Sequence, residues 1–121
     1  MITKTTVIKP KGKIFFTSWR HVLQMTRIFQ NLNIITIGDE YSGIYDAIPC
    51  KRRLIINHVV IPSNLKPTDF KRIEEFVKSL NGESVLVHCE LGSSRSPFVV
   101  NYILDKFPEY EHDVFLKNLE L

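Results

Sequence analysis

The residue types best suited to chemistry lie in one run, Val85-Leu86-Val87-His88-Cys89-Glu90-Leu91-Gly92-Ser93-Ser94-Arg95-Ser96-Pro97. Cys89 closes an apolar stretch, Arg95 follows six positions later, and Ser96-Pro97 has the composition of a helix start. Between the cysteine and the arginine lie Glu90, Leu91, Gly92, Ser93 and Ser94. Their backbone N–H groups can curl around one tetrahedral oxyanion while the positive end of the following helix points into the same cavity. Gly92 supplies backbone without a Cβ where such a loop must bend tightly. The same N–H groups and helix dipole favour a thiolate at Cys89, and a thiolate is a nucleophile. Arg95 is permanently charged and fork-shaped, so it can hold two phosphate oxygens and stabilise the charge that develops as a phosphoryl group transfers. Ser96 could donate a hydrogen bond to the sulfur and help it leave, and His88 would orient the loop by hydrogen bonds instead of taking a proton.

Such a loop needs a strand before it and a helix after it, and the chain alternates short β-branched or aromatic runs with segments of helical period. Lys13 to Phe16 reads as a first strand. Ser18 can cap a helix whose apolar positions Trp19, Val22, Leu23, Phe29 and Leu32 lie largely on one face, with Met25 and Ile28 off it. Ile34 to Ile37 reads as a second strand ended by Gly38-Asp39, and Asp39 to Arg53 is irregular, broken by Gly43 and Pro49. Leu54 to Ile61 reads as a third strand stopped by Pro62. Thr68 to Leu80 reads as a helix with Phe70, Ile73, Phe76, Val77 and Leu80 on one face and Asn81-Gly82 as its stop. Val85 to His88 is short and apolar, which suits a central strand buried on both faces. A helix opening at Ser96-Pro97 carries Val99, Val100, Ile103, Leu104 and Phe107 on one side and ends at Pro108, and a last helix is expected from Glu109 to Leu119. The expected fold is one α/β domain over residues 1–121: a central, mostly parallel sheet of four to five strands flanked by helices, with the phosphate-binding loop between a central strand and a helix.

Composition sets the outer bounds. A chain of 121 residues with 44% hydrophobic and 24% charged residues is globular and fits one domain. No apolar stretch approaches the ~20 residues that cross a bilayer, and the first residues lack a signal-peptide core, so a cytoplasmic monomer is expected. The net charge of +3 permits an anionic ligand but falls short of a nucleic-acid-binding signature. Two cysteines, Cys50 and Cys89, are too few for a disulfide scaffold and read as free thiols. His21, His58 and His112 lack ligand spacing, so no metal or other cofactor is expected. Lys51-Arg52-Arg53 reads first as a solvated turn and second as a device steering phosphorylated substrates. Under oxidation a protective disulfide between Cys50 and Cys89 is the alternative to two free thiols.

The run His88-Cys89-x-x-Gly92-x-x-Arg95-Ser96 resembles the signature of the cysteine-dependent protein tyrosine phosphatases, in particular the small dual-specificity branch. Outside the signature the likeness is one of pattern, and it covers most of the chain. It implies a metal-independent phosphomonoester hydrolase with a cysteinyl-phosphate intermediate, acting on phosphorylated protein or peptide. It implies phosphotyrosine as substrate, with phosphoserine and phosphothreonine admitted if the cleft is shallow.

The chain departs from that pattern at the general acid. Members of the branch carry an aspartate a few residues past an Ile-Pro pair, whereas Ile61-Pro62 is followed here by Ser63-Asn64-Leu65, which puts Leu65 where the acid is expected. Asp69, at the mouth of the next helix, is the nearest replacement. Its other reading is a carboxylate that complements the helix dipole, and Asp39 and Asp46 are more distant candidates. An enzyme without the acid would be slow toward alkyl phosphates yet still act on aryl phosphates, whose leaving groups need little protonation. The competing classes are a phosphate-binding module without turnover and an oxyanion reductase or sulfur-transfer enzyme. The second is disfavoured because related reductases carry the loop near the N-terminus and sulfur-transfer loops lack the five-residue gap to arginine.

Overall fold

The computed structural model describes residues 12–28, 32–38, 48–89 and 95–112. In chain order the elements are β1 (Lys13–Ser18), α1 (Trp19–Ile28), β2 (Asn33–Ile37), β3 (Arg52–Ile56), α2 (Pro67–Ser79), β4 (Val85–Cys89), α3 (Arg95–Lys106) and β5 (Glu111–His112), with a 3-10 turn at Pro62–Asn64. The five strands form one sheet in the order β3-β2-β4-β1-β5. All its pairings are parallel, as expected where helices such as α1, α2 and α3 cross between successive strands.

Alternation along the strands divides the core in two. On one face Ile14, Ile35, Ile37, Val85 and Val87 pack with Ile73 and Val77 of α2 and with Val99, Val100 and Ile103 of α3. On the other face Phe15, Ile34 and Leu86 pack with Val22 and Met25 of α1. Every residue of β4 is buried, as is every residue of β2 beside it, in keeping with a strand covered on both faces.

Four sequence expectations are corrected. Among the described side chains of α1, Val22 and Met25 are fully buried while Leu23 is 47% exposed; this i, i+3 pair faces the sheet and the intervening leucine points away. The third strand starts earlier and stops earlier than Leu54 to Ile61, because His58 adopts φ +65, a conformation that no strand continues through. Past it the backbone folds back, with the Val59 N–H donating to the Gly38 carbonyl at 2.8 Å. The last helix does not begin at Glu109. Instead Glu111 and His112 pair with β1 as an edge strand, held by the Glu111 N–H on the Gly12 carbonyl at 2.7 Å and by the Tyr110 hydroxyl on the Glu83 carbonyl at 2.6 Å. Burial of Tyr110 at 5% exposure outweighs the weak helical period there; residues 113–121 lie outside the described residues. Finally, Lys51-Arg52-Arg53 is not simply a solvated turn: Arg52 and Arg53 open β3, at the opposite end of the sheet from Cys89. Lys51 pairs with Glu83, Arg52 donates to the Ser79 carbonyl and Arg53 to the Ile48 carbonyl, all at the amino end of β3.

The second helix ends as its sequence suggests. Asn81 and Gly82 both take positive φ, +52 and +85, the left-handed turn that stops a helix.

Candidate active site

Connections in this sheet leave β1 and β4 in opposite directions. From β1 the chain crosses through α1 toward β2, and from β4 it crosses through α3 toward β5 on the other side. Parallel α/β sheets open a crevice at the carboxyl ends of two such neighbours. Cys89 is the last residue of β4 and pairs in register with Ser18, the last residue of β1. The cysteine therefore stands at the carboxyl edge of the sheet, where the two strands with diverging connections adjoin.

The cysteine belongs to the apolar core on the α2 and α3 face, with a polar side chain at its sulfur. Cys89 Sγ lies 3.3 Å from Ser96 Oγ in the first turn of α3, and Ser96 Oγ reaches the Thr17 carbonyl of β1 at 3.5 Å. Cys89 is 2% exposed and Ser96 is fully buried. The sulfur also faces the amino terminus of α3, whose partial positive charge favours an anion.

Arg95 opens α3 and is only 8% exposed. Its guanidinium turns inward and donates to the Val59 carbonyl at 2.8 Å, so the charge is drawn toward the sheet edge. Glu90, Leu91, Gly92, Ser93 and Ser94 lie outside the described residues, as do Asp39 and Asp46.

His88 is fully buried, and its Nε2 lies 2.8 Å from Thr36 Oγ1 on the neighbouring strand. Burial, above all, pushes the imidazole down to about 4; a hydrogen bond with the Cys89 backbone opposes that shift and the Arg53 charge adds to it. The ring is neutral at pH 7, which suits a group that orients the start of the loop and not one that accepts a proton.

Asp69 is in the first turn of α2, at the same end of the sheet. Its carboxylate accepts the Lys66 N–H at 2.9 Å, so it occupies an orphan donor at the helix start. Leu65, where the family pattern has its acid, is 8% exposed and belongs to the apolar core beside Cys89.

Cys50 and Cys89 are both free thiols, and the fold keeps them apart. Cys50 precedes β3 and packs beside the α1-face core, whereas Cys89 ends β4 and belongs to the core on the α2 and α3 face. A disulfide between opposite ends and opposite faces of one sheet would require unfolding it, so the pairing considered from the sequence is set aside. Among the described residues no three His, Cys, Asp or Glu side chains come together as metal ligands, and no helix is long and apolar enough to cross a membrane.

Three partners of the site carried no sequence signal. The Val59 and Thr17 carbonyls are backbone groups that any residue type could supply. Thr36 sits in the strand Asn33-Ile34-Ile35-Thr36-Ile37, where one hydroxyl among isoleucines was the only available hint. No family model matches the chain, and no curated protein matches it at a significant level.

Proposed function

We propose that the chain is a phosphomonoester hydrolase that removes phosphate from phosphotyrosine in proteins or peptides, with phosphoserine and phosphothreonine as further substrates, in a cytoplasmic setting where both thiols stay reduced. The single observation that carries this reading is the 3.3 Å approach of Cys89 Sγ to Ser96 Oγ at the amino terminus of α3, with Arg95, the residue before Ser96, turned inward to the Val59 carbonyl.

The reaction has two displacements. In the first, the Cys89 thiolate attacks phosphorus, a P–S bond forms, and the ester P–O bond breaks with its electron pair going to the leaving oxygen. Arg95 balances the charge on the equatorial oxygens. In the second, water attacks phosphorus, the P–S bond breaks, inorganic phosphate leaves with the hydroxyl of that water, and the sulfur departs as a thiolate that accepts a hydrogen bond from the Ser96 hydroxyl. His88 fixes the backbone at the start of the loop through its hydrogen bonds to Thr36 and the Cys89 backbone. Asp69 is the candidate general acid: released from the Lys66 N–H and in its carboxylic acid form it would give its proton to the leaving oxygen, and the resulting carboxylate would take the other proton of the attacking water.

That engagement of Asp69, together with the buried Leu65, favours one second reading: a phosphate-binding module with little turnover. Incubation with a phosphorus-labelled aryl phosphate followed by rapid alkaline denaturation distinguishes the two. The hydrolase traps a label on Cys89 that survives base and releases phosphate, and Cys89→Ser loses both; binding without a trapped label leaves the module reading in its place.

A further inference from the structure

Four large apolar side chains are prominently exposed among the described residues: Leu23, Val60, Ile61 and Phe98. Two of them, Val60 and Ile61, directly follow the carbonyl that receives the Arg95 guanidinium, and a third, Phe98, follows Arg95 on α3 with its ring 6.4 Å from that of Phe70. Val60 is 59%, Ile61 52% and Phe98 43% exposed. Isolated exposed apolar residues need no explanation, but Val60 and Ile61 stand on backbone tied by several hydrogen bonds.

Asn64 does most of the holding. Its Oδ1 accepts the N–H groups of both Val60 and Ile61, each at 3.0 Å, and its own N–H donates to the Ile61 carbonyl at 2.9 Å. The Val59 N–H is tied to Gly38 at 2.8 Å and the Val59 carbonyl to Arg95 at 2.8 Å. The segment is thus fixed to β2, to α3 and to its own turn. It presents two apolar side chains to water beside a cation without freedom to bury them.

We propose that the Val60–Ile61 shoulder, with Phe98 on the first turn of α3, is a preformed specificity element that receives the ring of an aryl phosphate ester whose phosphoryl group lies at Arg95. The proposal rests on reading the site as one for phosphate esters. A ligand that matches both features must be anionic at one end and apolar at the other. An aryl phosphate satisfies both; inorganic phosphate or a short alkyl ester leaves the shoulder wet. Because the shoulder is already ordered, covering it costs little conformational entropy. The same ligand class suits the substitution of Leu65 for an acid, since an aryl oxide departs with little protonation.

An aryl group also leaves more readily, so turnover alone does not isolate the contact, and binding of non-hydrolysable analogues does. Benzylphosphonate and ethylphosphonate are titrated calorimetrically against the wild-type chain and the variants Ile61→Ser, Val60→Ser, Asn64→Ala and Leu23→Ser, alongside phenyl phosphate turnover by wild type and Cys89→Ser. Benzylphosphonate is expected to bind about 10-fold more tightly, on the scale of a partly buried apolar contact. That ratio should fall several-fold in the three shoulder variants and stay unchanged in Leu23→Ser, which alters an equally exposed leucine on the other face. Equal affinity for the two analogues, or a ratio that survives all three shoulder variants, overturns the proposal even if Cys89-dependent turnover is observed. A ratio that behaves as expected without Cys89-dependent turnover sustains the shoulder and removes the hydrolase reading. Failure of both analogues to bind removes both.

Discussion

The two ends of the sheet handle polar side chains in opposite ways. At the amino end, charges meet in water: Lys13 pairs with Glu111 and Lys51 with Glu83, all with side chains more than a third exposed, and the groups buried there, Asn33 and Ser84, are neutral. At the carboxyl end Thr17, Thr36, His88, Ser96 and Arg95 are all buried. Exposed ion pairs contribute little and cost little, whereas a buried guanidinium or imidazole carries a desolvation penalty that its hydrogen bonds only partly offset. The amino end is thus organised to join strands, and the carboxyl end holds groups whose burial opposes stability.

Replacing Arg95 by Lys tests that contrast most sharply. An ammonium keeps the charge but loses the fork, so kcat/KM on phenyl phosphate is expected to fall by about 10²- to 10³-fold; a loss under threefold would mean that charge alone is sufficient there.

The next effect is on stability. His88 is neutral in the fold with its pKa near 4, against an ordinary 6.5, so the unfolded chain binds the proton that the folded chain refuses. Its contribution is fully present above pH 6.5 and is lost as the pH falls from 6.5 to about 4, amounting to about 3 kcal/mol. Urea unfolding across that window should show the decline, and His88→Gln should flatten it; an identical decline in the variant would assign it to other groups.

Asp69→Ala is expected to lower stability by about 1 kcal/mol through the lost helix-start bond. If the carboxylate also protonates leaving groups, Asp69→Asn slows alkyl phosphate hydrolysis while sparing phenyl phosphate; equal rates on both would leave it a capping residue only.

The smallest change belongs to the amino end. Lys51→Ala should cost less than about 1 kcal/mol, and less still in high salt. Beside Lys51, the Glu83 carboxyl is held below its ordinary value, chiefly by that hydrogen bond, so this small contribution is present at neutral pH and fades as acid protonates Glu83. Phenyl phosphate turnover should be unaffected; a comparable loss of turnover would erase the distinction between the two ends.

Much of this was legible in the chain because local pattern and tertiary demand agreed. Val85 to Cys89 could be read as a central strand from its apolar run, and α2 from its i, i+3, i+4 stripe and Asn81-Gly82 stop. The spacing of Cys89, Arg95 and Ser96 pointed to the junction of β4 and α3. What misled was short or one-sided: the face of α1 was misread because Leu23 and Met25 are equally apolar, and the end of β3 because a positive φ at His58 leaves no mark in hydropathy.

The sequence by itself determined the alternation of strands and helices and the candidate loop, since periodicity, stop residues and covalent spacing are local properties. Only the tertiary structure decided that Arg95 turns to Val59, that Thr36 holds His88, that Asn64 locks the shoulder beside the site, and that Cys50 lies on the other face. Each of these depends on which strands become neighbours, a choice made by burying two cores at once that no single segment encodes.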